Sequence, residues 1–183
     1  MSNDVPKRGD IYWSDLRPGK GSEQNGFRPV LIISNNLMNV TSTVVLAVPM
    51  STSDEKAKAG PFNISYKKSD YSVIASNIAD LKRDGHSFVH EDGVLLCNQS
   101  RAISKSRLKL KVGEVTNRQV MHGIKEALIH SFGLDACERC AYPVRPNAIK
   151  CSNCNSIHRR KCKNCKKSFD LLYNYCPHCG EGV

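Results

Sequence analysis

The chain has 183 residues, 40% of them apolar and 24% charged, and this balance is typical of folded globular proteins, not of disordered chains. The length accommodates one ordinary domain and a small second one. No apolar run reaches the roughly 20 residues that span a bilayer, and the polar N-terminus lacks the apolar stretch of a signal peptide. We therefore expect a cytoplasmic protein with reduced thiols and no membrane partner. The formal net charge of +10 is compatible with a polyanionic partner but does not identify one.

Six segments of the first 115 residues have the composition of β-strands: residues 9–16, 30–34, 43–48, 61–66, 93–97 and 107–112. The run at 30–34 is continuously apolar from Val30 to Ile33, which predicts a strand buried on both faces. The run at 43–48 is followed by Pro49, which predicts that the strand ends there. In the last segment Leu108, Leu110 and Val112 alternate with lysines, which predicts one inward face.

One helix is clearly indicated after the last strand. Thr116 and Gln119 have the spacing of a capping box, and Gly133 can end the helix. Between them runs one apolar stripe, formed by Met121, Ile124, Leu128 and Phe132. Short strands followed by one closing helix predict a compact, mainly β, barrel-like domain with little helix. We place this domain at residues 1–134 and a second domain at residues 135–183.

Residues 66–90 are harder to interpret. Ile74, Ile78 and Leu81 are spaced as on one face of a short helix, but the segment is mostly polar. The sequence leaves open whether it forms a short helix or a mobile loop.

Four Cys-x-x-Cys pairs dominate the second domain. A shift of 25 residues places the first two pairs on the last two without a mismatch, so the ligands form an internal repeat: Cys137, Cys140, Cys151 and Cys154, then Cys162, Cys165, Cys176 and Cys179. In each pair two sulfurs can reach one tetrahedral metal ion from a tight turn, and the ten-residue gap lets a hairpin return with the second pair. We predict a small double zinc ribbon with two structural Zn²⁺ ions and sequential pairing.

Disulfides and an iron–sulfur cluster are the alternatives, and the missing secretion signal argues against disulfides. A catalytic zinc is disfavoured because four thiolates fill the tetrahedron and leave no position for water. We expect His158 and His178 to be solvent-exposed and not to be ligands, since the cysteines suffice. Cys97 stands in an apolar strand and is expected to be a buried small side chain.

Metal binding would change the charge balance, because a site of four thiolates and one dication carries a net of about −2. Two such sites would lower the net charge from +10 to about +6. Six cations and three rings lie around the junction of the repeats: Arg159, Arg160, Lys161, Lys163, Lys166 and Lys167, with Phe169, Tyr173 and Tyr175. This pattern fits nucleic-acid binding, and it fits equally a solvated face that offsets the thiolate charge.

Four blocks of the first domain resemble the MazF/PemK endoribonuclease toxins of toxin–antitoxin systems. In chain order they read KRGDIYWSDLRPGKGSEQNGFRPVLIISNN, VVLAVPMSTS, GVLLCNQSRAIS and RLKLKVGEV, and they cover about residues 7–132. The resemblance implies a small SH3-like β-barrel that works as a homodimer. It also implies sequence-selective, metal-independent cleavage of single-stranded RNA, held in check by a cognate antitoxin.

The same resemblance implies roles for individual residues. Arg28 stands where the family has its catalytic arginine, and Ser51 stands where it has a catalytic hydroxyl, with Thr52 beside it at the substrate. Four further matches border the RNA groove, and the resemblance implies substrate binding by Glu23, Gln24, Gln99 and Arg101. The cysteine-rich region lies outside the resemblance.

Cleavage by attack of a 2′-hydroxyl on the adjacent phosphate needs a base, donors that neutralise the crowded phosphate, and a proton for the leaving 5′-oxygen. Arg28 and Ser51 can supply the donors. Arginine is a poor base because its pKa lies above ~12. The base therefore stays open among Glu23, His86 and His90.

Two departures from the family pattern keep other functions open. Ser104 stands where the family often has an acidic residue, and residues 67–88 form an insertion that could cover the groove. A non-catalytic RNA- or protein-binding regulator on the same fold is one alternative. A gyrase-targeting toxin is another, since related barrels act on gyrase, although the matches at Glu23, Gln24 and Arg28 and those at Gln99 and Arg101 argue against it.

Overall fold

A computed structural model describes residues 5–52, 60–145 and 147–182 of the chain. The chain forms two compact units, Met1–Ser131 and Phe132–Val183. Within the described ranges, no helix is both long enough and apolar enough to cross a membrane.

The N-terminal unit is mainly β. Its strands are β1 (Asp10–Asp15), β2 (Phe27–Ile32), β3 (Val44–Ser51), β4 (Ile64–Tyr66), β5 (Tyr71–Val73), β6 (Gly93–Leu95), β7 (Arg101–Ser104) and β8 (Leu108–Val115). Its helices are α1 (Asn36–Thr41), α2 (Ala75–Arg83) and α3 (Arg118–Ser131). The strands form one antiparallel sheet in the order β4-β6-β3-β2-β1-β8-β5, with β7 paired to β3. The predicted barrel-like β fold with a closing helix is confirmed as a curled sheet packed against α3.

Strand β2 is buried on both faces, as its continuous apolar run predicts. Val30 and Ile32 pack in one cluster of buried side chains, whereas Leu31 and Ile33 pack in the cluster that also contains Ile124 of α3. Successive side chains of a strand point to opposite faces, so each face of β2 has its own core. This arrangement holds β2 in one register.

Strand β3 continues through Pro49 to Ser51, so the prediction that it ends at Pro49 is wrong. On one edge, β3 pairs with β7 up to Ala47 and with β6 from Met50 onward. Pro49 lies between these two pairings, and its carbonyl accepts a hydrogen bond from the Leu96 N–H at 3.0 Å. Since the partner strand changes at this point, a residue without an N–H donor is tolerated there.

Strand β8 departs from the strict alternation predicted for it. Its pairing with β1 shifts register at two places, which inserts extra residues into β8 and re-aims the side chains beyond them. Leu110 and Val112 pack in the same cluster as α3. Leu108 packs in the opposite cluster, so the prediction of one shared face is wrong for Leu108.

Helix α3 is capped by Asn117, not by the predicted Thr116. The Asn117 Oδ1 accepts a hydrogen bond from the Gln119 N–H at 2.9 Å. Thr116 instead donates its hydroxyl to the Asp70 carbonyl at 3.1 Å, which ties the entry of the helix to the turn before β5. The tertiary contact of Thr116 with Asp70 therefore decides which of two adjacent polar residues caps the helix.

The apolar face of α3 is shifted from the predicted stripe. Ile124 is fully buried, as predicted, and Met121 and Leu128 pack at the margin of the same core. Phe132 lies beyond the last helical residue and is 62% exposed, so its predicted place in the stripe is wrong. Gly133 follows with a positive φ of 64°, as expected of a residue that ends a helix.

The segment at 66–90 contains a helix, which confirms one of its two interpretations. Within it, β5 pairs with β8 at the end of the sheet, and α2 buries Leu81 against the core with Ile78 beside it. Phe88, near the end of the predicted insertion, is buried in the same core. The insertion is thus packed onto the sheet.

We expect Gly113→Ala to lower the free energy of unfolding by about 1–3 kcal/mol, because a Cβ there would overlap the Ser72 carbonyl oxygen across the β5–β8 pairing. Gly123 in α3 is the matched control. Its Cβ would meet only the Ile64 side chain at 3.4 Å, and alanine in a helix interior is up to about 1 kcal/mol more stable than glycine. Denaturation followed by the fluorescence of Trp13, the single tryptophan, measures both variants. If both variants changed the free energy of unfolding in the same direction, the close approach of Gly113 to the Ser72 carbonyl would be contradicted.

Candidate active cleft and metal sites

A cleft of about 470 Å³ opens where β2 begins and β3 ends. Three predicted site residues line it: Arg28, Ser51 and Thr52. Its walls also carry several rings, contributed by Trp13, Phe27, Tyr66, Tyr71 and Phe88. The structure therefore brings the two predicted catalytic residues to one cavity.

Arg28 is held by one nitrogen and keeps the rest of its guanidinium available. Its Nε donates to the Asn25 carbonyl at 2.9 Å, and its two Nη groups have no hydrogen-bond partner in the described part of the chain. Its backbone pairs with Ser14 of β1. A guanidinium fixed in this way presents a fork of donors that matches a phosphate.

Ser51 is the last residue of β3, and Thr52 follows it. Ser51 is only 6% exposed, and its backbone pairs with Val94 of β6. Thr52, the next residue, is exposed. The cleft therefore has one hydroxyl on a rigid strand and a second one at its mouth.

Three predicted substrate-binding residues line a different groove. Glu23, Gln99 and Arg101 border an open groove of about 460 Å³. Gln24 is buried, with 5% exposure, and lines neither the cleft nor this groove. The structure thus separates the predicted residues into two sets.

Gln99 and Arg101 hold the loop between β1 and β2. The Gln99 Oε1 accepts from the Gln24 N–H at 2.7 Å, and its Nε2 donates to the Ser22 carbonyl at 3.4 Å. Arg101 donates from Nη2 to the Leu16 carbonyl at 2.5 Å. The same loop carries the carbonyl that binds Arg28, so these bonds also position the cleft.

None of the three residues considered as the base lines the cleft. The Glu23 carboxylate accepts an N–H of its own loop at 3.1 Å. The His90 Nε2 lies 2.9 Å from the Lys68 carbonyl oxygen. The His86 ring packs behind the wall, with its centre 4.4 Å from that of Phe27.

Glu91 lines the cleft, and sequence reasoning missed it. The Tyr71 hydroxyl accepts from the Glu91 N–H and donates to the Glu91 carbonyl, both at 3.1 Å. Burial raises the pKa of Tyr71 to about 12, so this hydroxyl stays protonated and keeps both bonds at neutral pH. No motif marks Glu91; its position three residues after the insertion was the only available signal.

Ser104, which replaces an acidic residue common in the resembling family, lies outside the cleft. Its hydroxyl is 2.8 Å from that of Ser106, in the turn before β8. The replacement therefore removes no charged group from the cleft of this chain.

In the C-terminal unit the eight cysteines form two tetrads, and the sequential pairing is confirmed: Cys137, Cys140, Cys151 and Cys154, then Cys162, Cys165, Cys176 and Cys179. Sulfurs face each other at 3.6–3.7 Å. That distance is far above the ~2.05 Å of a disulfide. It is close to the ~3.8 Å edge of a tetrahedron with bonds of ~2.3 Å to a central zinc. Each tetrad could hold one metal ion.

All four Cys-x-x-Cys pairs adopt the same turn, which we call a knuckle. In each knuckle the residue after the second cysteine donates its N–H to the carbonyl of the first cysteine. The first cysteine donates to the carbonyl one residue further on, and all eight bonds lie between 2.7 and 3.1 Å. The donor after the second cysteine has a positive φ in every knuckle: Ala141, Asn155, Lys166 and Gly180. The repeat in sequence is therefore a repeat in backbone geometry.

Hydrogen bonds favour the thiolate form at two of the cysteines. The Asn153 amide donates to the Cys140 sulfur at 3.5 Å and lowers the pKa of that thiol to about 6. The Cys165 N–H donates to the Cys162 sulfur at 3.4 Å and lowers its pKa to about 7. In each tetrad another thiol, that of Cys154 or that of Cys179, has its pKa raised to about 11 by burial and by the neighbouring thiols. The hydrogen bonds therefore favour the thiolate, the form that binds metal, at one position of each tetrad.

The remaining cysteine and the histidines lie outside the tetrads. Cys97 is fully buried, as expected, and burial raises its pKa to about 12. His178 is exposed, as expected, but His158 is half-buried, which corrects the prediction of a solvent-exposed ring.

We expect Gly180→Val to weaken metal retention, because Gly180 has a φ of +76° and a side chain there costs about 1–2 kcal/mol. Gly182 is the matched control, since a Cβ at either glycine would meet nothing within 4 Å and Gly182 lacks the positive φ. Competition with a chelator should release one ion from the Gly180 variant at about a 5–30-fold lower chelator concentration. Equal release from both variants would contradict the role of the left-handed backbone.

Residues 7–132 match the family described as PemK-like, MazF-like toxin of type II toxin–antitoxin system. Endoribonuclease MazF from Staphylococcus saprophyticus is 34% identical over 128 residues, which are 70% of this chain and 92% of that protein. The crystal structure of MazF from Deinococcus radiodurans shares the fold, with a TM-score of 0.53 at 21% identity over 72% of this chain and 99% of that one. The cysteine tetrads lie outside the matched residues, and the chain belongs to the PemK-like, MazF-like toxin family.

Proposed function

We propose that the N-terminal domain, residues 1–134, is an endoribonuclease that cleaves single-stranded RNA by attack of a 2′-hydroxyl on the adjacent phosphate. The observation that carries the proposal is the single cleft lined by Arg28 and Ser51. Membership of the toxin family and the 34% identity to a protein named endoribonuclease support the reaction class.

The cleft offers donors that can act without a metal ion. The Nη groups of Arg28 can bind the non-bridging oxygens of a phosphate while charge develops on them in the transition state. The Ser51 hydroxyl adds a neutral donor. Tyr66 adds another from the wall, since burial raises its pKa and keeps the hydroxyl protonated. This donor set suits metal-independent catalysis.

One ring of the cleft can meet an unpaired base. Trp13 and Phe88 contribute to the walls but are only 5% and 6% exposed, whereas Phe27 is half-buried. Proteins that bind single-stranded RNA commonly stack unpaired bases on such a side chain, whereas a duplex keeps its bases within its own stack. The Phe27 ring therefore supports a single-stranded substrate.

Glu91 is the best-placed base, because among the described residues it is the carboxylate that lines the cleft. In the proposed step its carboxylate takes the proton of the 2′-hydroxyl, and the 2′-oxygen forms a bond to phosphorus. The bond from phosphorus to the 5′-oxygen breaks, and that oxygen takes a proton from water. The products are a 2′,3′-cyclic phosphate and a 5′-hydroxyl.

We further propose that residues 135–183 hold two structural zinc ions and act as an accessory binding domain. Support comes from the all-sulfur tetrads with tetrahedral spacing and from the four knuckles. A site filled by four sulfurs has no open position for substrate, so the ions stabilise the fold and take no part in cleavage.

The family description also suggests partners and location. A toxin of a type II toxin–antitoxin system is neutralised by a protein antitoxin, and we propose such a partner for this chain. We propose a homodimer in the cytoplasm, where single-stranded RNA is available.

We expect the purified protein to cleave RNA in the presence of EDTA and Arg28→Ala to lower the rate about 10²–10³-fold, since one transition-state donor is lost. Arg28→Lys should rescue little of this loss, because a point charge does not replace a bidentate fork. Arg118→Ala, an exposed arginine of α3, is the control for charge. Mapping the fragment ends identifies the cyclic phosphate.

Two outcomes would contradict this proposal, and each would do so in a different way. Full activity in Arg28→Ala would refute the assigned site. Tight RNA binding without any cleavage by the unmodified protein would support the non-catalytic alternative.

We expect Glu91→Gln to lower the cleavage rate and to flatten its dependence on pH in the acidic range, because protonation of a carboxylate base no longer limits the reaction. Asp92→Asn is the matched control, since the adjacent Asp92 carboxylate accepts the Lys68 N–H and does not line the cleft. A rate profile with an unchanged acidic limb in Glu91→Gln would assign the base elsewhere.

A further inference from the structure

The positive charge of the cysteine-rich unit is concentrated in one strand and the knuckle that follows it. Residues 133–183 contain nine lysines and arginines, and six of them fall within residues 159–167, which contain no acidic residue. This stretch forms β9 (Arg159–Lys161) and the knuckle that leads to β10 (Ser168–Asp170). The two strands pair as an antiparallel hairpin.

Comparison with the first repeat tests whether these cations only compensate the thiolate charge. Both tetrads have four cysteines and the same knuckle hydrogen bonds, so both carry the same thiolate charge when they bind a metal ion. Residues 133–158, around the first tetrad, contain only three cations and two acidic residues. Compensation of thiolate charge therefore does not explain the six cations of the second repeat.

The two arginines of β9 have structural partners. Arg159 donates from Nη2 to the Ser168 carbonyl at 3.2 Å. Arg160 donates from Nη2 to the Tyr173 carbonyl at 2.5 Å, and its guanidinium lies 5.5 Å from the centre of the Phe169 ring. Arg159 thus bonds across the hairpin, and Arg160 fastens the hairpin to the chain that follows it.

The lysines of β9 and its knuckle face solvent. Lys161, Lys163, Lys166 and Lys167 are all exposed. The Lys166 ammonium donates to the Lys163 carbonyl at 2.6 Å, which leaves three ammonium groups with no partner among the described residues. Exposed ammonium groups suit contacts with phosphates.

Two exposed tyrosines lie next to this charged knuckle. Tyr173 and Tyr175 are 44% and 55% exposed, and their ring centres are 6.2 Å apart. The bond from Arg160 to the Tyr173 carbonyl places them beside the hairpin. The equivalent positions of the first repeat, 25 residues earlier, are Ala148 and Lys150. Rings and cations were therefore added to the same copy of the repeat.

We propose that the second ribbon, residues 159–182, binds single-stranded RNA, with Lys161, Lys163 and Lys167 on phosphates and Tyr173 and Tyr175 stacked on bases. The inference rests on the proposed function for the choice of RNA as the natural ligand. The tyrosines favour RNA over an acidic protein, because stacking platforms beside a cationic track bind unpaired nucleotides, whereas an acidic peptide needs only the cations.

The test measures binding of a short fluorescent RNA whose 2′-hydroxyls are methylated, so that it stays intact whether or not the protein is a nuclease. The variant carries Lys161→Gln, Lys163→Gln and Lys167→Gln in the full chain. Its control carries Arg139→Gln, Arg145→Gln and Lys150→Gln in the first ribbon, which removes the same charge. A zinc content equal to that of the unmodified protein confirms that both variants remain folded.

We expect the second-ribbon variant to bind more weakly and to lower the slope of log affinity against log salt by about 2, since each lost phosphate contact on a single strand removes about 0.7. The first-ribbon control should keep the slope. Tyr173→Ala with Tyr175→Ala should weaken binding at least about fivefold per ring, and the corresponding phenylalanine variants should restore it.

Equal slopes of log affinity against log salt for the two charge variants would overturn the proposal. Binding of poly-glutamate to the second ribbon with the same affinity as RNA would also overturn it. These outcomes are separable from failure of the proposed function. If the unmodified protein cuts no RNA but the second-ribbon variant loses slope, the nuclease assignment fails and the binding surface stands. If the unmodified protein cuts RNA and the two charge variants have equal slopes, the nuclease assignment stands and the binding surface fails.

Discussion

The burial of β2 on both faces is the constraint on which the cleft depends. Val30 to Ile33 send side chains alternately into two cores, and each fully buried aliphatic side chain contributes about 1.5–3 kcal/mol. A slip of one residue would exchange the two faces, so the register is fixed. Arg28 stands two residues before this run, on the same strand, and inherits its position. The guanidinium is therefore placed by the packing of its apolar neighbours and then oriented by one carbonyl, that of Asn25.

The other walls of the cleft come from segments that the sheet holds by single polar side chains. Gln99 clamps the loop that supplies Asn25, and Tyr71 clamps the backbone of Glu91. Both clamps use a neutral side chain that bonds to main-chain atoms, so they remain intact over a wide range of pH. The insertion has a structural role in this scheme, since it provides Tyr71 and carries the chain back to Glu91 beside the cleft.

The cysteine-rich unit shows how a repeat can keep its fold and diverge in chemistry. Its four knuckles share one hydrogen-bond pattern, and each closes within six residues around a Cys-x-x-Cys pair. Because the cysteines and the backbone bonds form the knuckle, the residues between and after the cysteines can differ between the copies. Six of the nine cations and two of the three tyrosines of residues 133–183 lie in the second copy. This difference between two copies with the same four cysteines and the same backbone bonds is the basis for the role proposed for the second copy.

What depends on local spacing could be determined from the sequence alone. The grouping of the eight cysteines into two sequential tetrads follows from Cys-x-x-Cys pairs that close within one turn, and the double burial of β2 follows from an uninterrupted apolar run. The family blocks also indicated Arg28 and Ser51. Only the tertiary structure decided that these two share a cleft, that Gln99 and Arg101 brace a loop in a separate groove, and that Glu91 joins the site. The continuation of β3 through Pro49 likewise depends on a change of partner strand. Each of these contacts joins segments far apart in the chain, and a linear pattern contains no measure of the distance between them.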